Sequence, residues 1–252
     1  SMKLYQYRRG FHGGRGLEHL SDLLKQGSLK FSMPSEFNDP FDCCPAQLQE
    51  CPVGDLPHAV VDELNRSVQG ASSQLHGIAC FTPHPDRILM WSHYADHHQG
   101  LCVGFDSASL RDPPRNSEGN PLYRDITPVT YSPNRPSPEG LEQFFHKAEA
   151  WSYESENRLI TRRQRGHPEW GPGVWPIPRA AVTEVVLGAR MPDYIAHQVV
   201  SLVRANAPSV ALRKAVLHMN TFEIVLEDLA DQPEVAPMKG YIQGPNGDWL
   251  VI

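Results

Sequence analysis

Strand-length apolar runs and helix-period runs follow one another in this chain without a regular beat, and that irregular order narrows the fold more than any single motif. Gly77-Ile-Ala-Cys-Phe-Thr82 and Leu101-Cys-Val-Gly-Phe105 are short apolar runs of the kind that form buried strands. Leu17, Leu20, Leu23 and Leu24 recur instead at helical spacing, with Gly27 placed to close the helix. Further helices are expected over 56–70, Ile88–Tyr94 and Tyr194–Ala205. Another is expected over 141–151, where Leu141, Phe144, Phe145, Ala148 and Trp151 would share one face. Strands are expected at 3–8, Leu29–Phe31, Val129–Tyr131, Asn157–Thr161, Val182–Leu187, Val210–Leu217 and Phe222–Leu226, with 164–178 a loop. Strands and helices interleaved in this way, with no repeating βαβ unit, imply an α+β fold of mixed or antiparallel sheets with flanking helices.

At 252 residues and 40% hydrophobic composition the chain can bury a core as one large or two small domains. The reading adopted is a single α+β domain over 2–252, with the proline-rich, charged stretch 106–138 a surface insertion within it. A net charge of −6 removes any bulk electrostatic reason to expect non-specific nucleic-acid binding. The opening Lys3–Arg9 has no apolar leader, and no run approaches the length needed to cross a bilayer, so a soluble cytoplasmic protein without a membrane partner is expected. Five cysteines, at 43, 44, 51, 80 and 102, lack paired CxxC spacing and read as reduced thiols. A zinc site from Cys43, Cys44, Cys51 and His58 would lack a second spaced pair, and no metal is assigned.

Four clusters carry side chains with chemical potential. In Trp151-Ser-Tyr-Glu-Ser-Glu-Asn-Arg-Leu-Ile160, Glu154 and Glu156 would point the same way on an extended segment, where like charges repel and call for a partner or a ligand. They suit general acid–base work, metal ligation or stabilisation of a cation, and equally a buried Glu–Arg pair beside a solvated Glu. Tyr7-Arg8 ends the first strand, and the Arg offers a planar fork for carboxylate or phosphate. Asn38-Asp-Pro-Phe-Asp42 reads first as an Asx turn, and as a holder of a ribose or metal second. In Met90–His98, His93 and His97 would lie one helical turn apart, while Trp91 and Tyr94 serve as core or as a stacking surface.

Together, Leu4-Tyr-x-Tyr-Arg8, Phe37-Asn-Asp-Pro-Phe-Asp42, Cys80-Phe-Thr82, Met90-Trp-Ser-His-Tyr-Ala-x-x-His-x-Gly100 and Trp151-x-Tyr-Glu-x-Glu-x-Arg-Leu159 resemble a bacterial family known as domain of unknown function 2971. The resemblance spans about residues 3–230 and by itself confers no activity. A second resemblance is to ADP-ribosyltransferases, which carry an Arg or His on an early strand, a Ser/Thr-bearing strand mid-chain and a Glu-x-Glu opening a later strand. Arg8, Thr82 and Glu154-Ser-Glu156 fall in that order. Cys-Phe-Thr stands where Ser-Thr-Ser is usual, and the His93–Tyr94 helix is not part of that pattern.

What this second resemblance implies is a split sheet around a cleft and an NAD-dependent transfer of ADP-ribose to a macromolecular acceptor, protein or nucleic acid. A bacterial toxin or defence system is the setting it suggests. Glu156 would stabilise the oxocarbenium formed as nicotinamide leaves, and Glu154 would orient or deprotonate the acceptor. Arg8 with Tyr7 would hold the dinucleotide, Thr82 would support Glu156, and Asn38, Asp39, Trp91, His93 and Tyr94 would complete the NAD site. The alternatives are a metal-dependent hydrolase or nuclease built on Asp39, Asp42, His93, His97 and one glutamate, and a non-enzymatic nucleotide-binding module.

Overall fold

The computed structural model describes residues 2–11, 13–46, 57–136, 141–162, 171–229, 241–243 and 249–251. Its elements run β1 (Lys3–Arg8), α1 (Gly16–Gln26), β2 (Ser28–Phe31), α2 (His58–Leu75), β3 (His76–Phe81), α3 (Ile88–Tyr94) and β4 (Leu101–Asp106). There follow α4 (Ser107–Leu110), β5 (Thr127–Pro128), β6 (Thr130–Ser132), β7 (His146–Ala148), β8 (Asn157–Arg162) and β9 (Gly173–Pro176). The last are β10 (Val182–Leu187), α5 (Asp193–Asn206), β11 (Ala211–Leu217), β12 (Ile224–Asp228), β13 (Tyr241–Gln243) and β14 (Trp249–Val251). Helices and mixed sheets together make this an α+β protein. Cys51 and the first part of the expected 164–178 loop lie outside the described residues. Among the described residues no helix is long and apolar enough to cross a membrane.

The chain forms two compact units whose segments interleave. One comprises Ser1–Met2, Ser28–Pro83 and Ser107–Pro178, the other Lys3–Gly27, His84–Asp106 and Arg179–Ile252. We call these the first and second unit.

The second unit holds a five-stranded sheet in the order β1-β4-β10-β11-β12. All neighbours are antiparallel except β10 and β11, which run parallel and need a crossover between them. Helix α5 is that crossover. Its buried Ile195, Val199 and Val203 and the buried Leu20, Leu23 and Leu24 of α1 show the 3.6-residue periodicity that the leucine spacing anticipated. Gly27 ends α1 in the left-handed conformation, φ 72°, and its N–H closes on the Asp22 and Leu23 carbonyls.

In the first unit β3, β8 and β5 form one antiparallel sheet and β2 pairs with β9. A single bridge, Ser32 to Ile78, joins the two ladders. The pairing of β9 with β2 makes a strand where a loop was expected; its Gly and Pro residues mask the pattern. Buried Ile78, Ile160, Phe144 and Cys43 form the core here. From Ser107 on, the stretch expected as a surface insertion belongs to this unit, and its Leu110, Tyr123, Ile126 and Val129 are buried rather than exposed.

One expected helix is absent. Residues 141–151 form a 3-10 turn (Glu142–Phe145), strand β7, and a second 3-10 segment (Glu149–Glu154). Parallel pairing of β7 with β6, Tyr131 opposite Lys147, satisfies backbone groups that a helix would have satisfied locally. The apolar periodicity was real but short, and tertiary pairing overrode it.

Candidate functional site

The chain reaches Glu154 on a 3-10 segment and then turns through Ser155 in the left-handed conformation, φ 46°. Glu154 is therefore not on an extended strand, and the same-face argument fails for the backbone reason that Ser155 breaks the alternation. The two carboxylates converge all the same. Lys147 Nζ donates to Glu154 Oε2 at 2.5 Å and to Glu156 Oε2 at 3.0 Å. A cation between them relieves the repulsion that their spacing would otherwise create.

Arg158 completes the cluster from β8. Its Nε donates to Glu156 Oε1 at 2.7 Å, and its Nη2 to Glu156 Oε2 at 3.1 Å and Asp42 Oδ2 at 2.7 Å. The remaining Nη1 donates to the Phe144 carbonyl at 2.8 Å and meets Cys43 Sγ at 3.3 Å. Lys147 also stands 3.7 Å from Asp42 Oδ2. Three carboxylates thus surround two cations, and none of the five residues is more than 8% exposed. Burial alone raises the Glu156 carboxyl, but the Arg158 and Lys147 charges and the Arg158 hydrogen bonds outweigh it and hold it down to about 2. Burial likewise opposes the Arg158 charge, and Glu156 and Asp42 more than restore it. The Cys43 thiol is pushed well up by burial, so it is a neutral wall of the cluster.

The framework around the glutamates is also hydrogen-bonded. Phe81 and Asn157 are paired across the β3–β8 ladder, which brings Thr82 to the start of β8. Thr82 Oγ1 donates to the Glu154 main-chain oxygen at 2.6 Å, so Thr82 supports the pair through its backbone. Tyr131 Oη accepts the Glu156 N–H at 2.7 Å.

Of the turn residues in the first unit, Asn38 is exposed, while Asp39 Oδ1 accepts the Phe41 N–H at 2.9 Å, the Asx turn read from the sequence. Asp39 Oδ2 is buried without a hydrogen-bond partner among the described residues. Asp42, in a segment read as a turn or as a holder of a ribose or metal, is an ion-pair partner of Arg158.

The other sequence-derived residues lie in the second unit. Arg8 ends β1, and both its Nε (3.1 Å) and Nη2 (2.8 Å) donate to Gln6 Oε1. Loss of solvent pushes its guanidinium down to about 10, with no carboxylate partner shown among the described residues. Trp91 has no exposed surface; its indole N–H donates to the Pro85 carbonyl at 2.8 Å, and Tyr7 packs edge-on against it, centroids 5.1 Å apart. Tyr7 is buried too, its hydroxyl donating to the His84 carbonyl at 2.8 Å. Both pack in the core of the second unit. Tyr94 is half-buried and His93 exposed. Helix α3 stops at Tyr94, and Asp96, His97 and His98 all have positive φ, so His97 is not one helical turn beyond His93. The Asp96 carboxylate ties this turn to the Gly10 N–H at 2.6 Å. Among the described residues no group of three or more His, Cys, Asp or Glu is placed to hold a metal ion.

Lys147 and Tyr131 escaped the sequence reading. Lys147 is one lysine in a stretch with helical periodicity, and no spacing rule marks it. The adjacent carboxylates called for a partner, a ligand or solvent, and Lys147 is such a partner.

Residues 90–159 match the family described as Protein of unknown function (DUF2971), which bears out that resemblance from Met90 to Leu159 and includes Lys147, Glu154, Glu156 and Arg158. Neither the curated proteins nor the solved structures include a match to the chain.

Proposed function

We propose that the chain is an NAD-dependent ADP-ribosyltransferase in which Glu156 is the carboxylate beside the reacting ribose. The observation that carries the reading is the buried cluster itself, in which Glu154 and Glu156 share the Lys147 ammonium and Arg158 ties Glu156 to Asp42. Cleaving the nicotinamide–ribose bond develops positive charge on the sugar. A pre-oriented, ionised carboxylate in a water-poor site stabilises that charge without reorganising. Glu156 is held ionised by its neighbours, and a negative carboxylate is what an oxocarbenium needs. Glu154, on the same ammonium, is the group to orient or deprotonate the acceptor.

In the second unit the half-buried Arg8 guanidinium, bonded to the neutral Gln6 amide, keeps its charge, and its fork matches a diphosphate. The fold carried by this proposal is the split sheet of ADP-ribosyltransferases, and the acceptor is a protein or nucleic acid, in a toxin or defence system.

The test is release of free nicotinamide from NAD, followed by mass spectrometry, with water as the default acceptor. Glu156→Gln keeps the shape of the side chain and removes its charge, so release should fall by about a hundredfold or more. Circular dichroism confirms that the variant is folded. Wild-type release by the folded variant, or no release by the wild-type chain, refutes the proposal.

A further inference from the structure

Two carboxylates aimed at one point do not both stay ionised unaided; they share a proton, and one loses its charge. Both roles assigned above need a charged group, so something must hold the second charge in place. Lys147 is built into the fold for that purpose. The β6–β7 ladder places it opposite Tyr131, and its ammonium, with three donors, bonds both glutamates. The Trp151 ring lies 5.0 Å from Nζ and covers it. An exposed lysine would lose side-chain entropy for little gain in such a geometry, but this one is only 8% exposed.

We propose that Lys147 is a positioning residue for the transfer reaction, holding Glu154 and Glu156 side by side and preventing them from sharing a proton. The inference rests on the transferase reading. The other groups facing the pair are Arg158 from β8, Asp42 and Cys43 from the loop before α2, Cys80 from β3, Tyr131 from β6 and Tyr153 from the 3-10 segment. Of these only Arg158 is cationic, and it is already committed to Glu156 and Asp42. Removing Lys147 takes away the ammonium that bonds both glutamates, and among the described groups a proton is the counter-charge that can replace it.

The experiment pairs carboxylate titration, read by carbon NMR on glutamate-labelled protein, with the pH profile of nicotinamide release. In Lys147→Met a buried glutamate should take up a proton at least about one pH unit higher than in the wild type. The acid limb of nicotinamide release should move up with it, and kcat should fall about tenfold or more with KM for NAD within about twofold. Lys147→Arg keeps the charge and should restore the acid limb. If Lys147→Met does not fold, Glu154→Gln/Lys147→Met removes the paired charges together; it should fold and return the Glu156 titration to the wild-type range. A folded Lys147→Met with wild-type titration overturns the inference, as does a double variant in which Glu156 stays perturbed. Absence of nicotinamide release from the wild type would sink the transferase reading alone, because the titration still decides whether Lys147 governs the pair.

Discussion

Replacing Arg158 by methionine should be among the most damaging single changes in the first unit. The side chain is fully buried and makes three charge-assisted hydrogen bonds, two to Glu156 and one to Asp42. Methionine fills similar volume but leaves three carboxylates sharing Lys147, and the Phe144 carbonyl loses its donor. Breaking a buried ion pair by removing one partner costs about 3–5 kcal/mol, because the other charge stays buried. The loss should depend on pH in a defined direction. The Glu156 carboxyl lies near 2 in the folded chain against 4.5 for the free group, a difference equivalent to ~3 kcal/mol. A folded-state value below the unfolded one gives stability that is complete above about pH 4.5 and is lost as the pH falls towards 2. Without Arg158, burial dominates and the carboxyl rises, so the variant relieves its penalty by binding a proton. The deficit should thus be about 4 kcal/mol at pH 7 and about half that at pH 5. Urea unfolding followed by tryptophan fluorescence at the two pH values measures both. A deficit under about 1 kcal/mol, or one equal at both pH values, would refute the account of the cluster as buried and charge-coupled.

Gly77→Ala would put a Cβ 2.6 Å from Thr161 Oγ1 and 2.7 Å from the Gly171 carbonyl, and should cost about 3 kcal/mol, seen as a lowered thermal midpoint. Glu154→Gln, by contrast, leaves two carboxylates for two cations; urea unfolding should place it within about 1 kcal/mol of the wild type, far from the Arg158→Met loss.

Much of the scaffold was legible because its periodicities are long or cleanly bounded. The leucines of α1 and their Gly27 stop, the span of α3, and the apolar strands β3, β4 and β10 all emerge from the sequence. What failed did so for local reasons. The 141–151 helix was lost to the pairing of β7 with β6, a contact no local pattern announces. Strand β9 was hidden by its glycine and proline, and the left-handed turn through Asp96, His97 and His98 cut the histidine spacing. In the site, the glutamate pair announced that a partner was needed, yet Lys147 had no signal of its own. Trp91 and Tyr7 looked like binding aromatics because sequence does not tell an aromatic that faces a ligand from one that faces the core.

The charge balance of the Glu156 cluster separates a structural from a chemical origin. Buried ion pairs are poor stabilisers, since the desolvation of each charge offsets most of the attraction, and apolar residues of equal volume often serve as well. A cluster kept only for stability should at least match its charges. Among the described ion pairs, Asp42, Glu154 and Glu156 share Lys147 and Arg158, three carboxylates on two cations. In the second unit the half-buried Arg8 guanidinium is held by the Gln6 amide, with no carboxylate partner shown among the described residues. Unmatched buried charge lowers stability, and it persists where a ligand or transition state supplies the missing counter-charge. A positive charge developing beside Glu156 would supply such a counter-charge, and the Glu156→Gln variant is the test of it.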